Sequence, residues 1–83
     1  MIRYRVVLDE GVNRMLSRLP DDDHRALTDF FSELAARPFT KGVQQTIDET
    51  GRTNEVAVSG RFVITYWADH AVSELRIALM EET

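Results

Sequence analysis

The run Ser59-Gly60-Arg61-Phe62-Val63-Ile64-Thr65-Tyr66-Trp67 decides the fold, because it is the strongest β-strand signal in the chain. From Arg61 onward it contains no glycine or proline and is rich in β-branched and aromatic residues, which favour strands. Turn-forming residues precede it, and Asp69-His70 follows it as a second turn. The flanking runs, 55–58 and 73–80, are expected to pair with it as a meander of three strands.

A strand and two helices precede this meander. Residues 2–8 alternate apolar and basic side chains, beginning with Ile2, and predict a half-buried strand. Two helices are then predicted, the first ending at Pro20 and the second at Pro38. Their apolar faces follow helical spacing: Val12, Met15, Leu16 and Leu19 in the first, and Leu27, Phe30, Phe31, Leu34 and Ala35 in the second. The polar stretch 39–54 follows, in which Val43 to Ile47 forms either a short edge strand or a loop.

This order predicts a single α+β domain spanning residues 1–83, with the arrangement β-α-α-β-β-β. We expect an antiparallel sheet with the two-helix hairpin packed on one face. The first strand joins the sheet beside one of the later strands, and the other face of the sheet stays open. We call that second face the open face.

Composition limits the function classes. The net charge is −4, so the global field does not favour nucleic acid, and any phosphate site must be a local one. There is no cysteine, no signal peptide and no membrane-spanning stretch, which together predict a cytoplasmic protein. His24 follows Asp21, Asp22 and Asp23, but consecutive helical residues rarely converge on one ion, so these acids are interpreted as helix caps. We predict no metal site and no cofactor.

Strand alternation divides the meander into two faces. The predicted core set lies beneath the helices: Val56, Val58, Phe62, Ile64, Tyr66, Leu75, Ile77 and Leu79. The predicted open-face set is mixed in character: Glu55, Ala57, Arg61, Val63, Thr65, Trp67, Glu74, Arg76, Ala78 and Met80.

Several short motifs carry a family resemblance that extends over essentially the whole chain. They are an N-terminal Tyr4-Arg5-Val6 strand, Leu16-Ser17-Arg18-Leu19-Pro20 closing the first helix, Arg37-Pro38 after the second, the sheet run from Asn54 to Tyr66, and Leu75-Arg76-Ile77. In these motifs and in element order the chain resembles the RelE/ParE superfamily of toxins from bacterial type II toxin–antitoxin pairs.

The resemblance implies a small toxin that a cognate antitoxin neutralises. One branch of the superfamily cuts mRNA on the ribosome without a metal, and the other inhibits DNA gyrase by binding. Val63 stands where the nuclease branch often has arginine, and Ala57 where another basic residue is common. The ending Leu79-Met80-Glu81-Glu82-Thr83 lacks the usual basic and tyrosine residues. These departures favour action by protein binding.

The candidate site residues form three groups. Arg61 and Arg76 are the cations on the predicted open face, interpreted either as a phosphate-contacting pair or as partners of Glu55 or Glu74. Lys41 and Arg52 are candidates for nucleic-acid contact or solvated loop charges. The third group comprises candidate partner-binding residues, since exposed aromatic and apolar side chains dominate interfaces: Val63, Trp67 and Met80.

Three hypotheses therefore stay open. The first is a binding-type toxin paired with an antitoxin. The second is a ribosome-dependent endoribonuclease that uses Arg61 and Arg76. The third is a non-toxic family member that forms a homodimer through its open face.

Overall fold

A computed structural model describes residues 3–83 of the chain. Its elements follow the order β1 (Arg5–Leu8), α1 (Glu10–Ser17), α2 (Asp21–Ala36), β2 (Gln44–Ile47), β3 (Thr53–Ser59), β4 (Phe62–Asp69) and β5 (Glu74–Glu82). The five strands form one sheet in the order β1-β5-β4-β3-β2. The α+β class and the element order are therefore confirmed, and the predicted strand residue Ile2 lies outside the described residues.

The sheet is mixed rather than fully antiparallel, which corrects the prediction. β1 pairs parallel to β5, with Val6 opposite Leu75, while the other neighbouring strands pair antiparallel. Backbone hydrogen bonds from Arg5 N–H to Ser73 O (3.0 Å) and from Asp9 N–H to Ile77 O (3.0 Å) fix this pairing. Parallel strands need a long crossover connection. The helical hairpin and the meander supply it, and hydrophobic periodicity does not reveal the direction of the pairing.

The helices form as predicted and cover part of one sheet face. Asp9 caps α1 by accepting a hydrogen bond from Gly11 N–H at 3.4 Å. α2 begins with three aspartates, whose charge suits a helix N-terminus. No helix among residues 3–83 is long and apolar enough to cross a membrane. One hydrophobic core joins the helices to the sheet: Tyr4, Val12, Leu16, Leu27, Phe31, Leu34, Ala35, Ala57, Phe62, Ile64, Tyr66, Leu75, Ile77 and Met80.

Within the segment 43–47, residues Gln44–Ile47 form a strand, which decides between the two alternatives left by the sequence. β2 pairs antiparallel with β3 at the edge of the sheet, with Gln44 opposite Val56. Gly42 precedes it at a point where the backbones touch, since a Cβ there would lie 2.2 Å from the carbonyl oxygen of Val56. The Gly42 N–H donates to Glu55 Oε1 at 2.7 Å. Glycine is therefore required for β2 to reach the sheet.

The face assignment of β3 was wrong. Ala57 is buried, at 8% exposure, while Val58 is 55% exposed. The β3–β4 hairpin has a two-residue turn, so Ser59 lies directly opposite Phe62 and Ala57 opposite Ile64. Residues opposite each other in a pair share a face. Ala57 and Glu55 therefore lie on the helix side with Ile64, while Val56 and Val58 lie on the open face.

The end of β5 was also assigned to the wrong faces. A register shift between Thr65 and Tyr66 places Ile77 opposite Tyr66 but Leu79 opposite Thr65, so Ala78 is an extra residue. Such a bulge reverses the alternation beyond it. Met80 is consequently buried, at 5% exposure, and Leu79 is 49% exposed. The predicted exposed Met80 is a core residue.

Candidate functional site

A row of charged and aromatic side chains crosses one end of the open face, and we call it the arginine–tryptophan row. It comprises Arg5, Glu74, Arg76, Trp67 and Arg52. Trp67 on β4 lies directly opposite Arg76 on β5. The guanidinium of Arg52 lies 3.8 Å from the centroid of the Trp67 ring and that of Arg76 lies 5.8 Å from it. Both distances allow cation–π attraction.

Glu74 binds two of these arginines and neutralises part of their charge. Its carboxylate accepts hydrogen bonds from Arg5 Nη2 and, at 2.6 Å, from Arg76 Nη1. The Glu74 side chain is only 11% exposed. The hydrogen bond from Arg5, supported by the charges of Arg5 and Arg76, lowers the pKa of Glu74 and keeps it ionised. Of the two acids considered as partners of Arg76, Glu74 is the one bound, but the pairing is not cross-strand as expected, because Glu74 lies two residues before Arg76 on β5.

Arg52 is positioned by the turn between β2 and β3. Asp48 Oδ1 accepts hydrogen bonds from the backbone N–H groups of Thr50 (2.9 Å) and Arg52 (3.0 Å), and Asp48 Oδ2 accepts one from Asn54 Nδ2 (3.3 Å). The hydrogen bond from the Thr50 hydroxyl is the largest of the effects that lower the pKa of Asp48 to about 2. The same carboxylate lies 3.8 Å from Arg52 Nη1. The turn therefore fixes Arg52 against Trp67 and supplies a counter-charge.

Arg61 lies at the other end of the sheet and does not join Arg76. It donates to Asp23 Oδ2 at 2.6 Å and to Glu82 Oε2 at 2.5 Å. These hydrogen bonds raise the pKa of Arg61 above its usual value, and the hydrogen bond to Asp23 has the larger effect. Trp67, the β4 residue of the row, lies six residues after Arg61, a distance of roughly 20 Å at about 3.3 Å per residue. Arg61 links the start of α2 to the sheet, and a shared phosphate contact with Arg76 has no geometric basis.

A cleft of about 290 Å³ adjoins the row and brings Lys41 and Arg52 together. Trp67, Glu55 and His70 also line it. The cleft exists because the segment after α2 lies against the ends of β3 and β4, where the hydroxyl of the core residue Tyr66 donates to Thr40 O at 3.1 Å. Burial, and to a lesser extent the charge of Glu55, raises the pKa of Tyr66.

His70 is a site residue that sequence reasoning assigned only to a turn. Its Nδ1 lies 2.9 Å from the hydroxyl of Tyr4. Its ring is stacked on Phe39, with centroids 4.6 Å apart and an interplanar angle of 8°. Tyr4, Phe39 and His70 are far apart in sequence, and no local pattern connects them. Among residues 3–83 no group of three or more histidine, aspartate and glutamate side chains is placed to hold a metal ion.

The remainder of the open face carries an apolar area that we call the valine patch: Val56, Val58, Val63 and Leu79. Val63 lies opposite Val58. Two of the three candidate partner-binding residues, Val63 and Trp67, thus lie on the open face. Met80 does not, because the bulge in β5 turns it into the core.

The arrangement of strands and helices matches two solved complexes. One is the toxin–antitoxin complex RelBE2 from Mycobacterium tuberculosis, with a TM-score of 0.79 and 22% identity over 99% of this chain and 100% of that chain. The other is the archaeal RelE–RelB complex from Pyrococcus horikoshii, with a TM-score of 0.78 and 18% identity over 98% of this chain and 96% of that chain. This chain has the RelE fold. The fold implied by the sequence resemblance is confirmed.

The RelE fold is evident here from three-dimensional structure rather than from close sequence similarity. No family model matches the chain, and no curated protein is significantly similar to it in sequence. The chain and the matched chains cover one another almost completely, so the RelE fold accounts for both helices and for all five strands.

Proposed function

We propose that the chain is the toxin of a type II toxin–antitoxin system and acts by binding a protein target rather than by cutting RNA. Its RelE fold, shared with chains from two RelE–RelB-type complexes, supports the toxin assignment and a cognate antitoxin as partner. We place it in the bacterial cytoplasm, where the type II systems that it resembles act. DNA gyrase belongs to the class of protein target that the resemblance suggests.

The observation that carries the binding mechanism is the pairing of the arginines. Arg76 is bound to Glu74, Arg61 to Asp23 and Glu82, and Arg52 lies near Asp48. A phosphoryl-transfer site needs cations free to stabilise charge on the phosphate. Here each of these arginines already has a carboxylate counter-charge. The open face instead offers Trp67 and the valine patch, which suit a protein interface.

A ribosome-dependent endoribonuclease is the second candidate, and the cleft beside Trp67 favours it. Lys41, Arg52 and His70 line that cleft together. A cation and a proton-transfer group close to one phosphate are the minimum for metal-free cleavage. In this candidate the cleft supplies the catalytic groups, and the ion pairs of Arg61 only stabilise the folded structure.

Induced expression in a bacterial host, with growth and total mRNA integrity followed together, tests both candidates. We expect growth arrest with intact mRNA. Trp67→Ala should relieve the arrest because it removes the aromatic side chain at the centre of the arginine–tryptophan row. Val72→Ala is the matched control, because Val72 is an exposed apolar residue of the β4–β5 turn and belongs to neither strand. Co-expression of a small neighbouring antitoxin gene should restore growth.

Other outcomes discriminate among the hypotheses. Cleavage of mRNA at ribosome-bound positions, lost in a His70→Ala or Arg76→Ala variant, would establish the nuclease instead. Normal growth in the presence of soluble, folded protein would favour the non-toxic family member.

A further inference from the structure

The two edges of the sheet differ in how they are protected. β1, at one edge, begins with the charged residue Arg5, and Arg3 lies two residues before it. The segment that leads into β1 also contacts α2, because Tyr4 N–H donates to Ala35 O at 2.9 Å. β2, at the other edge, has the uncharged sequence Gln44-Gln45-Thr46-Ile47 and is exposed along its whole length. Natural proteins usually protect an edge strand with charge, proline or a covering element. β2 has none of these within its four residues.

The side chains around β2 add exposed apolar area. Val43 is 79% exposed and Ile47 is 73% exposed. The helices make their main contacts with β1 and β5, so the helix-side face of β2 remains uncovered. The edge that is open for backbone pairing is therefore also apolar at both ends.

The backbone of β2 is oriented for pairing with another strand. Asp48 N–H donates to Arg52 O at 2.9 Å across the β2–β3 hairpin. Because hydrogen-bonded positions alternate along an antiparallel pair, the backbone groups of Gln45 and Ile47 point away from β3. These groups are available to a strand outside the sheet.

We propose that this edge is a homodimerisation site, at which β2 of one chain pairs antiparallel with β2 of a second copy about a two-fold axis at Gln45. This register brings the outward backbone groups of the two Gln45 residues together. It also brings the exposed side chains of Val43 and of the partner's Ile47 to the same end of the ladder, although the Val43 N–H takes no part in the ladder because it donates to Val56 O at 2.8 Å. An interface of this kind is isologous, so each contact occurs twice.

Charge complementarity supports the same register. Lys41 lies four residues before Gln45 and Glu49 lies four residues after it, and both are exposed. Antiparallel pairing about Gln45 brings Lys41 of one chain to Glu49 of the other, at both ends of the interface. A register shifted in either direction separates these opposite charges and shortens the ladder.

The interface is small, and its affinity should be low. A stable complex buries about 800 Å² per partner, and a ladder of four or five residues supplies less than that. We expect dissociation constants on the order of micromolar or weaker. The dimer differs from one formed through the open face, since it leaves Trp67 and the valine patch free. It does not depend on the toxin assignment.

Sedimentation velocity over a concentration series tests the proposal, from about 1 μM to about 500 μM to span the range expected of a small interface. We expect a concentration-dependent dimer in the wild-type chain. Ile47→Lys should abolish it, because it places a charge beside the apolar side chain of the partner. Leu79→Lys is the matched control on the open face and should leave the dimer unchanged. Urea unfolding of each variant verifies that it folds.

A charge-reversal cycle tests the register. Lys41→Glu or Glu49→Lys alone should raise the dissociation constant roughly two- to thirtyfold, because each creates two like-charge contacts in the dimer. The double variant, Lys41→Glu with Glu49→Lys, should restore wild-type affinity.

Three results would overturn the proposal. They are a monomer throughout the concentration range, a dimer that Leu79→Lys breaks and Ile47→Lys does not, and a double charge variant that fails to recover. The growth assay is a separate readout, so a failure here leaves the toxin proposal untouched.

Discussion

The bulge in β5 makes a sharp prediction about two neighbouring residues. Met80 is 5% exposed and belongs to the hydrophobic core opposite Ile64, whereas Leu79 is 49% exposed on the open face. Simple alternation along the strand assigns them the opposite way. Met80→Ala and Leu79→Ala therefore distinguish the bulged strand from a regular one.

The expected magnitudes differ severalfold. Truncating a buried methionine to alanine costs about 2–5 kcal/mol in the free energy of unfolding. A domain of this size has a total stability of roughly 4–12 kcal/mol at 0.05–0.15 kcal/mol per residue. Met80→Ala should therefore remove a large share of it. Leu79→Ala loses only part of a half-exposed side chain and should cost less than about 1 kcal/mol.

Urea unfolding followed by circular dichroism measures both values on the same scale, and thermal unfolding provides a second readout. The melting temperature of Met80→Ala should fall by about 10 °C or more, since 1 kcal/mol corresponds to about 4–8 °C in a domain of this size. An equal or larger loss for Leu79→Ala would refute the register described for β4 and β5.

Two further substitutions test local features. Gly42→Ala should lower the free energy of unfolding by about 1–3 kcal/mol, because its Cβ would lie 2.2 Å from Val56 O. Urea unfolding measures this loss. Gly11→Ala is the control and should not destabilise the protein, because its Cβ would meet no atom closer than 3.8 Å. For Asp48, hydrogen bonding lowers the pKa from 3.8 to about 2 in the folded state. The stability that its ionised form contributes is therefore fully present above about pH 4 and declines as the pH falls towards 2. Asp48→Asn should lower the urea midpoint at pH 7, and this difference from wild type should shrink between pH 4 and pH 2; a constant difference would contradict the assigned hydrogen bonds.

Much of the fold could be predicted because it depends on local patterns. The apolar spacing in residues 27–35 specifies α2, and Pro20 and Pro38 limit the helices. The β-branched and aromatic run of residues 62–67 specifies β4. Each signal is contained in a window of one element, so neighbouring residues suffice to read it.

The candidate site was less predictable, because its residues meet through pairings across the chain. Trp67 was recognised as an open-face residue, since it follows the buried Tyr66 on a regular strand. Glu74 was considered as a partner of Arg76, but its second partner Arg5 lies on a strand whose parallel pairing has no local signal. The contact of Tyr4 with His70 joins the two ends of the chain and has no sequence signature either.

The sequence by itself determined the element types, the helical hairpin and the absence of cysteine chemistry, because these depend on composition and on short-range periodicity. Only the tertiary structure decided which side chains share a face. The two-residue turn at Gly60-Arg61 set the register of β3 against β4, which buried Ala57 and exposed Val58, and the bulge at Ala78 reversed the alternation of β5, which buried Met80. Because strand side chains alternate with a period of two, a one-residue change in register exchanges the core face with the open face.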